Sequence, residues 1–112
     1  MSKLHIPVCP ITITANGDLP PNRFIGTDSA VAGAAANTLG VSTNFAADGE
    51  HATIEILGVI SVETGAAVTA GALVESDATG RAVDRTAGAI VARALDGSAA
   101  AGEFVRCILI SN

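Results

Sequence analysis

Tryptophan and tyrosine are absent, three phenylalanines are the only aromatics, and Lys3 is the only lysine in 112 residues. Each absence closes a door. Without large aromatics the core must be aliphatic and thin, and without tyrosine one common catalytic acid is missing. A lipoyl- or biotinyl-type carrier needs an exposed lysine at a hairpin tip, and Lys3 lies at the wrong end of the chain. Hydrophobic residues make up 49% of the sequence, but much of that is alanine, which buries little apolar surface per ordered residue. Such a domain gains by associating.

Charge is equally sparse. The net charge of −5 comes from scattered single acids, and the six basic residues form no phosphate-neutralising stripe. Nucleic acid and anionic membrane surfaces are therefore poor partners. No stretch approaches the roughly 18 apolar residues that span a bilayer. The opening "MSKLHIPVCPITIT" has a lysine followed by apolar residues, but Pro7 and Pro10 interrupt it and no small-residue cleavage site follows, so it reads as part of a soluble mature protein.

Chemistry-bearing groups are few and dispersed. Cys9 and Cys107 lie near opposite ends of the chain; a disulfide is conceivable, and reduced structural thiols are the expectation. His5 and His51 are isolated, with no metal-ligand spacing around them. There is no GxSxG motif, and Glu50, Glu55, Glu63 and Glu75 read as solvated strand ends or polar faces. No enzymatic activity, cofactor or metal is expected.

What the sequence does contain is strand periodicity. "ITIT" (11–14) sets Ile11 and Ile13 against Thr12 and Thr14, and Asn16-Gly17 closes it as a turn. "ATIEILGVISVE" (52–63) keeps Ile54, Ile56, Ile60 and Val62 on one parity and Thr53, Glu55, Ser61 and Glu63 on the other. It predicts one long strand, with Gly58 as a bend or bulge. "EFVRCILI" (103–110) alternates likewise, with Val105, Cys107 and Leu109 inward and Arg106 outward.

The chain also repeats itself. "RFIGTDSA" (23–30) aligns with "ALVESDAT" (72–79), and "AADGEHATIEILG" (46–58) with "AAAGEFVRCILIS" (99–111). Between them "NTLGVS" (37–42) and "AIVARA" (89–94) hold similar places. Two units of this size are too few for a solenoid and suit a duplicated β-barrel or sandwich. In the second unit "ALVES" and "GRAV" read as a strand and its return. The connecting "DATG" is then a hairpin turn, with Asp77 accepting backbone N–H bonds and Gly80 supplying the left-handed conformation. A phosphate loop is disfavoured there, because a strand and not a helix follows the glycine.

The order and spacing of "LGVISVETGAAVTAG", "ALVESDATGRAV" and "AAAGEFVRCILI" resemble the small Ala/Gly-rich capsid cement, or decoration, proteins of tailed bacteriophages. The resemblance runs from about Ile11 onward. It implies an all-β, barrel-like or tulip-like domain built from two similar β units (11–112) and preceded by an extended N-terminal arm (1–10). It also implies assembly as trimers on the outer surface of the expanded head, binding to the major capsid protein, and no catalysis. Such a protein is made in the host bacterial cytoplasm and resides in the virion.

The arm is the segment that matches least. Leu4, Ile6 and Val8 alternate and could add a strand to a neighbouring capsid subunit; the other reading is a first strand, or a frayed end, of the domain itself. The rival function is a small-molecule-binding or carrier-like β module, which also uses paired β units with glycine turns.

Overall fold

The computed structural model describes residues 6–7 and 9–110. Ten strands and no helix occur among them: β1 (Ile6–Pro7), β2 (Pro10–Thr14), β3 (Phe24–Gly26), β4 (Thr38–Ser42), β5 (His51–Glu55), β6 (Gly58–Glu63), β7 (Leu73–Ser76), β8 (Ala82–Asp84), β9 (Ala92–Ala94) and β10 (Phe104–Leu109). They form two antiparallel sheets, ordered β1-β6-β10-β9-β7-β8 and β2-β5-β4-β3. The domain is all-β, as the alternation predicts.

The repeat is visible strand by strand. The inner four strands of the larger sheet, β6-β10-β9-β7, follow the order of β2-β5-β4-β3 in the smaller. Registers match as well: Ile13 opposes Ala52 and Thr14 opposes His51, while Val62 opposes Val105 and Glu63 opposes Phe104. Loop hydrogen bonds are duplicated too. Ala15 N donates to Glu50 O at 2.8 Å and Thr64 N to Glu103 O at 2.7 Å; Leu19 bonds Ala46 in both directions, as Val68 bonds Ser98. Gly49 and Gly102 occupy the same turn, each with φ of 84°, a conformation in which a Cβ would be strained.

Two apolar clusters result. Ile25, Ala52 and Ile54 of the smaller sheet form one, with Leu19 from the loop after β2. The larger is built on Ile60, Val62, Val74, Val91, Val105 and Cys107, and it takes in Phe24, Ala32 and Val41 from the first unit. The units therefore share a core. Phe24, fully buried, is the largest side chain in it.

One expectation is overturned. Residues 52–63 are not a single strand with a bend: β5 ends the smaller sheet at Glu55 and β6 starts the larger at Gly58. Gly58 has φ of 108°, the left-handed region open to glycine, and here the chain crosses between sheets. Two strands of equal parity, set end to end, look like one in sequence. The expectation of solvated acids also fails at Glu55, which is only 6% exposed with Oε1 lacking a hydrogen-bond partner.

In the N-terminal segment, Ile6 and Pro7 pair with Val59 and Gly58 as the edge strand β1. Leu4, Val8 and His5 lie outside the described residues. Pro10, counted with the arm on sequence, opens β2 and pairs with Glu55.

Candidate interaction surface

The 77–81 turn is held by its own carboxylate. Asp77 Oδ1 accepts from Thr79 N at 2.9 Å, Arg81 N at 2.8 Å and the Thr79 hydroxyl at 3.1 Å, and Oδ2 accepts from Arg81 Nε at 3.3 Å. Burial pushes the Asp77 pKa up, but the backbone N–H groups of Arg81 and Thr79, with the Arg81 charge behind them, outweigh it and hold the carboxyl below its ordinary value. Gly80 has φ of 77°, and its carbonyl accepts from Phe24 N at 2.7 Å.

The turn is thus a contact between units. Arg23 Nη1 donates to Thr79 O at 3.1 Å, Arg23 pairs with Glu63 at 3.3 Å, and Arg81 reaches the other Glu63 oxygen at 3.7 Å. Two arginines face two carboxylates, so the cluster is internally neutral and offers no net charge to an anion. Sequence reasoning placed the Asp77 turn but had no signal for Arg23 or Glu63, which come from distant segments.

The remaining singled-out residues are dispersed. Asn16 and Gly17 form the turn after β2, with Gly17 at φ of 95° and its N–H on Asp48 Oδ1 at 2.8 Å. Glu75 Oε1 accepts from Thr86 N and Gly88 N, each at 2.9 Å, and these bonds lower its pKa. Cys107 is buried and Cys9 half-buried, and both are free thiols. Burial, with a smaller contribution from the Asp96 charge, pushes the Cys107 thiol up to about 12. No cluster of three potential metal ligands occurs among the described residues.

An outward apolar face is the feature the sequence reading missed. In β10 the buried Val105 and Cys107 alternate with Phe104 and Ile108, which are 44% and 41% exposed. Ile108 opposes Val59 and Arg93, and Phe104 opposes Glu63, so directly opposed side chains put all five on one face. Leu95, 39% exposed, joins them through its N–H bond to Arg106 O. Arg106 stands between Phe104 and Ile108, gripped by Asp96 through two bonds of 2.9 Å. That pairing, with the carboxylate's added charge, raises the Arg106 pKa. At the matching positions the first unit carries His51, Thr53 and Glu55, so only the second unit presents this face. A signal was available: Phe104 and Ile108 share a parity opposite to Val105 and Cys107.

Comparison with known proteins bears on these features. No curated protein sequence matches the chain. Among solved structures, the N base of the head fiber protein gp8.5 of bacteriophage phi29 matches with a TM-score of 0.74 and 16% identity, covering 91% of this chain and 93% of that one. At that identity the likeness is one of fold. The family model described as phage cement protein matches residues 5–109. The chain belongs to the phage cement protein family.

Proposed function

We propose that the protein decorates the outer surface of a bacteriophage head, binding the major capsid protein as a homotrimer and stabilising the expanded shell. Family membership supports a capsid-associated structural role. The observation that carries the finer reading is the face of Leu95, Phe104 and Ile108: three large apolar side chains left partly in water by a domain whose interior is largely small and aliphatic. Large apolar side chains grouped on one open face gain by being covered in an assembly. A ligand that binds only the intact lattice stabilises it by mass action.

The N-terminal segment is a second contact in this reading. Leu4, Ile6 and Val8 alternate in sequence as an added strand would, and Ile6 pairs with Val59 of the same chain. Cryo-electron microscopy of the virion tests the whole assignment. Density for three copies around a local three-fold axis outside the shell is the expected result, and absence of the chain from the outer surface would overturn it. Deleting residues 1–8 separates the two contacts: the domain stays folded, and head occupancy falls if the segment clamps a neighbour.

A further inference from the structure

The two units differ in what covers the first strand of each. In the second, the free side of β6 is occupied: β1 pairs at Val59, Asn22 Nδ2 donates to Ser61 O at 2.9 Å, and Glu63 N donates to Asn22 O at 3.0 Å. The repeat places Pro10, Thr12 and Thr14 of β2 at the positions of Val59, Ser61 and Glu63. Hydrogen bonds fix which way these residues face. Ile56 N donates to Cys9 O and Ala15 N to Glu50 O, both on the β5 side. By the alternation of an antiparallel pair, Ile11 and Ile13 bond β5, while the N–H and C=O of Thr12 and Thr14 and the C=O of Pro10 point away. No described residue meets them. Cover resumes two residues after Thr14, where Asn16 N donates to Ser29 O at 3.0 Å, the counterpart of Gly65 N on Ala82 O at 2.9 Å.

The Thr14 end of this edge is acidic. Asp48 accepts from Gly17 N, Asp18 from Asp48 N, Glu50 from Ala47 N and Asp28 from Ala30 N, and none of the four carboxylates forms an ion pair among the described residues. The folded domain of a second copy is a poor match for it, Lys3 of the N-terminal segment being its one basic residue outside the arginines. Each copy brings a net charge of −5, and its arginines are engaged: Arg23, Arg81 and Arg106 in ion pairs, Arg85 on Gly88 O and Arg93 on Gly71 O.

We propose that the β2 edge accepts an extended segment of a shell protein, carrying lysine or arginine near the Thr14 end, as a fifth strand of the smaller sheet. The proposal rests on the capsid-binding reading and names where the shell engages. Main-chain pairing along Thr12 and Thr14 supplies affinity, as in other strand additions, and the acidic rim sets the direction of the incoming strand.

The test uses expanded heads of the encoding phage, stripped of the protein, and the full chain as wild type, Thr12→Val and Thr12→Pro. The Thr12 N–H makes no bond to any described residue, so proline there removes an edge donor, whereas valine keeps it. Wild type and Thr12→Val are expected to fill the heads equally, and Thr12→Pro, with an unchanged melting temperature, to bind about tenfold more weakly or worse. Amide exchange supplies a measurement independent of the variant: Thr12 and Thr14 exchange freely in the free protein and become protected on heads. Full occupancy by folded Thr12→Pro, or unprotected Thr12 and Thr14 on heads, overturns the edge assignment and leaves capsid binding standing. Failure of the wild type to bind heads overturns both. A Thr12→Pro variant that loses self-association in sedimentation while keeping its occupancy assigns the edge to a second copy and overturns the named occupant.

Discussion

Arg23 of the first unit and Glu63 of the second form an ion pair with 3.3 Å between Nη2 and Oε1, and each side chain is only about a fifth exposed. The pair bridges two halves that also share apolar packing, main-chain bonds and the side-chain bonds from Asn22 Nδ2 to Ser61 O and from Arg23 Nη1 to Thr79 O. Glu63 also meets Arg81, so its loss leaves two guanidinium groups under-compensated. Glu63→Gln is expected to cost about 1 kcal/mol, and a double-mutant cycle with Arg23→Gln should give a coupling of about 0.5–1 kcal/mol. Urea unfolding of the four proteins measures it.

Gly80 faces a tighter constraint than turn geometry alone. Its φ is 77°, and a Cβ added there would stand 2.7 Å from Phe24 O and 2.8 Å from Val31 Cγ1. Gly80→Val should therefore cost roughly 3 kcal/mol or more, through strain and through the displaced Phe24 contact. Thermal melts of Gly80→Ala and Gly80→Val decide it, with valine the worse of the two.

Asp77 and Glu75 make the fold acid-sensitive. Both folded pKa values lie below their ordinary values of 3.8 and 4.5, so the unfolded chain takes up protons first as the pH falls. Their contribution is complete above the ordinary carboxylate range and is lost as pH falls through the lowered folded values. Asp77→Asn should unfold more readily than wild type at pH 7, and the difference should shrink towards pH 3. Unfolding midpoints across that range are the measurement.

Cys107 should be inert in the native protein. The nucleophile is the thiolate, and a thiol pushed up to about 12 is almost wholly protonated at neutral pH as well as buried. Ellman's reagent at neutral pH should titrate Cys9 in the folded chain and both cysteines in urea.

The apolar face offers a separation of stability from assembly. Phe104→Asp and Ile108→Asp change side chains that project outward, so stability should move by no more than about 1 kcal/mol. Occupancy on expanded heads should fall sharply for both. Melting and head binding, measured side by side, check the pair.

Strand positions were legible because side-chain alternation is local: Ile11 and Ile13, or Val105 and Cys107, declare an inner face without reference to any partner. The duplication was legible for the same reason. Matched residues such as Gly49 and Gly102 recur at fixed places within each unit, and the two glycines adopt the same φ.

Tertiary structure decided the rest. The crossing at Gly58 could not be read because β5 and β6 keep one parity through it, and only the pairing of β6 with β10 places them in different sheets. Whether Glu55 is buried, and Phe104 and Ile108 exposed, depends on contacts beyond the strand that carries them. Arg23 reaches Glu63 and Thr79 because the shared core brings together segments far apart in sequence, and no local pattern records that approach. The two units and most of their strands follow from backbone periodicity, which is local. Which edges and faces are covered among the described residues depends on how the units meet, and that is a property of distant contacts.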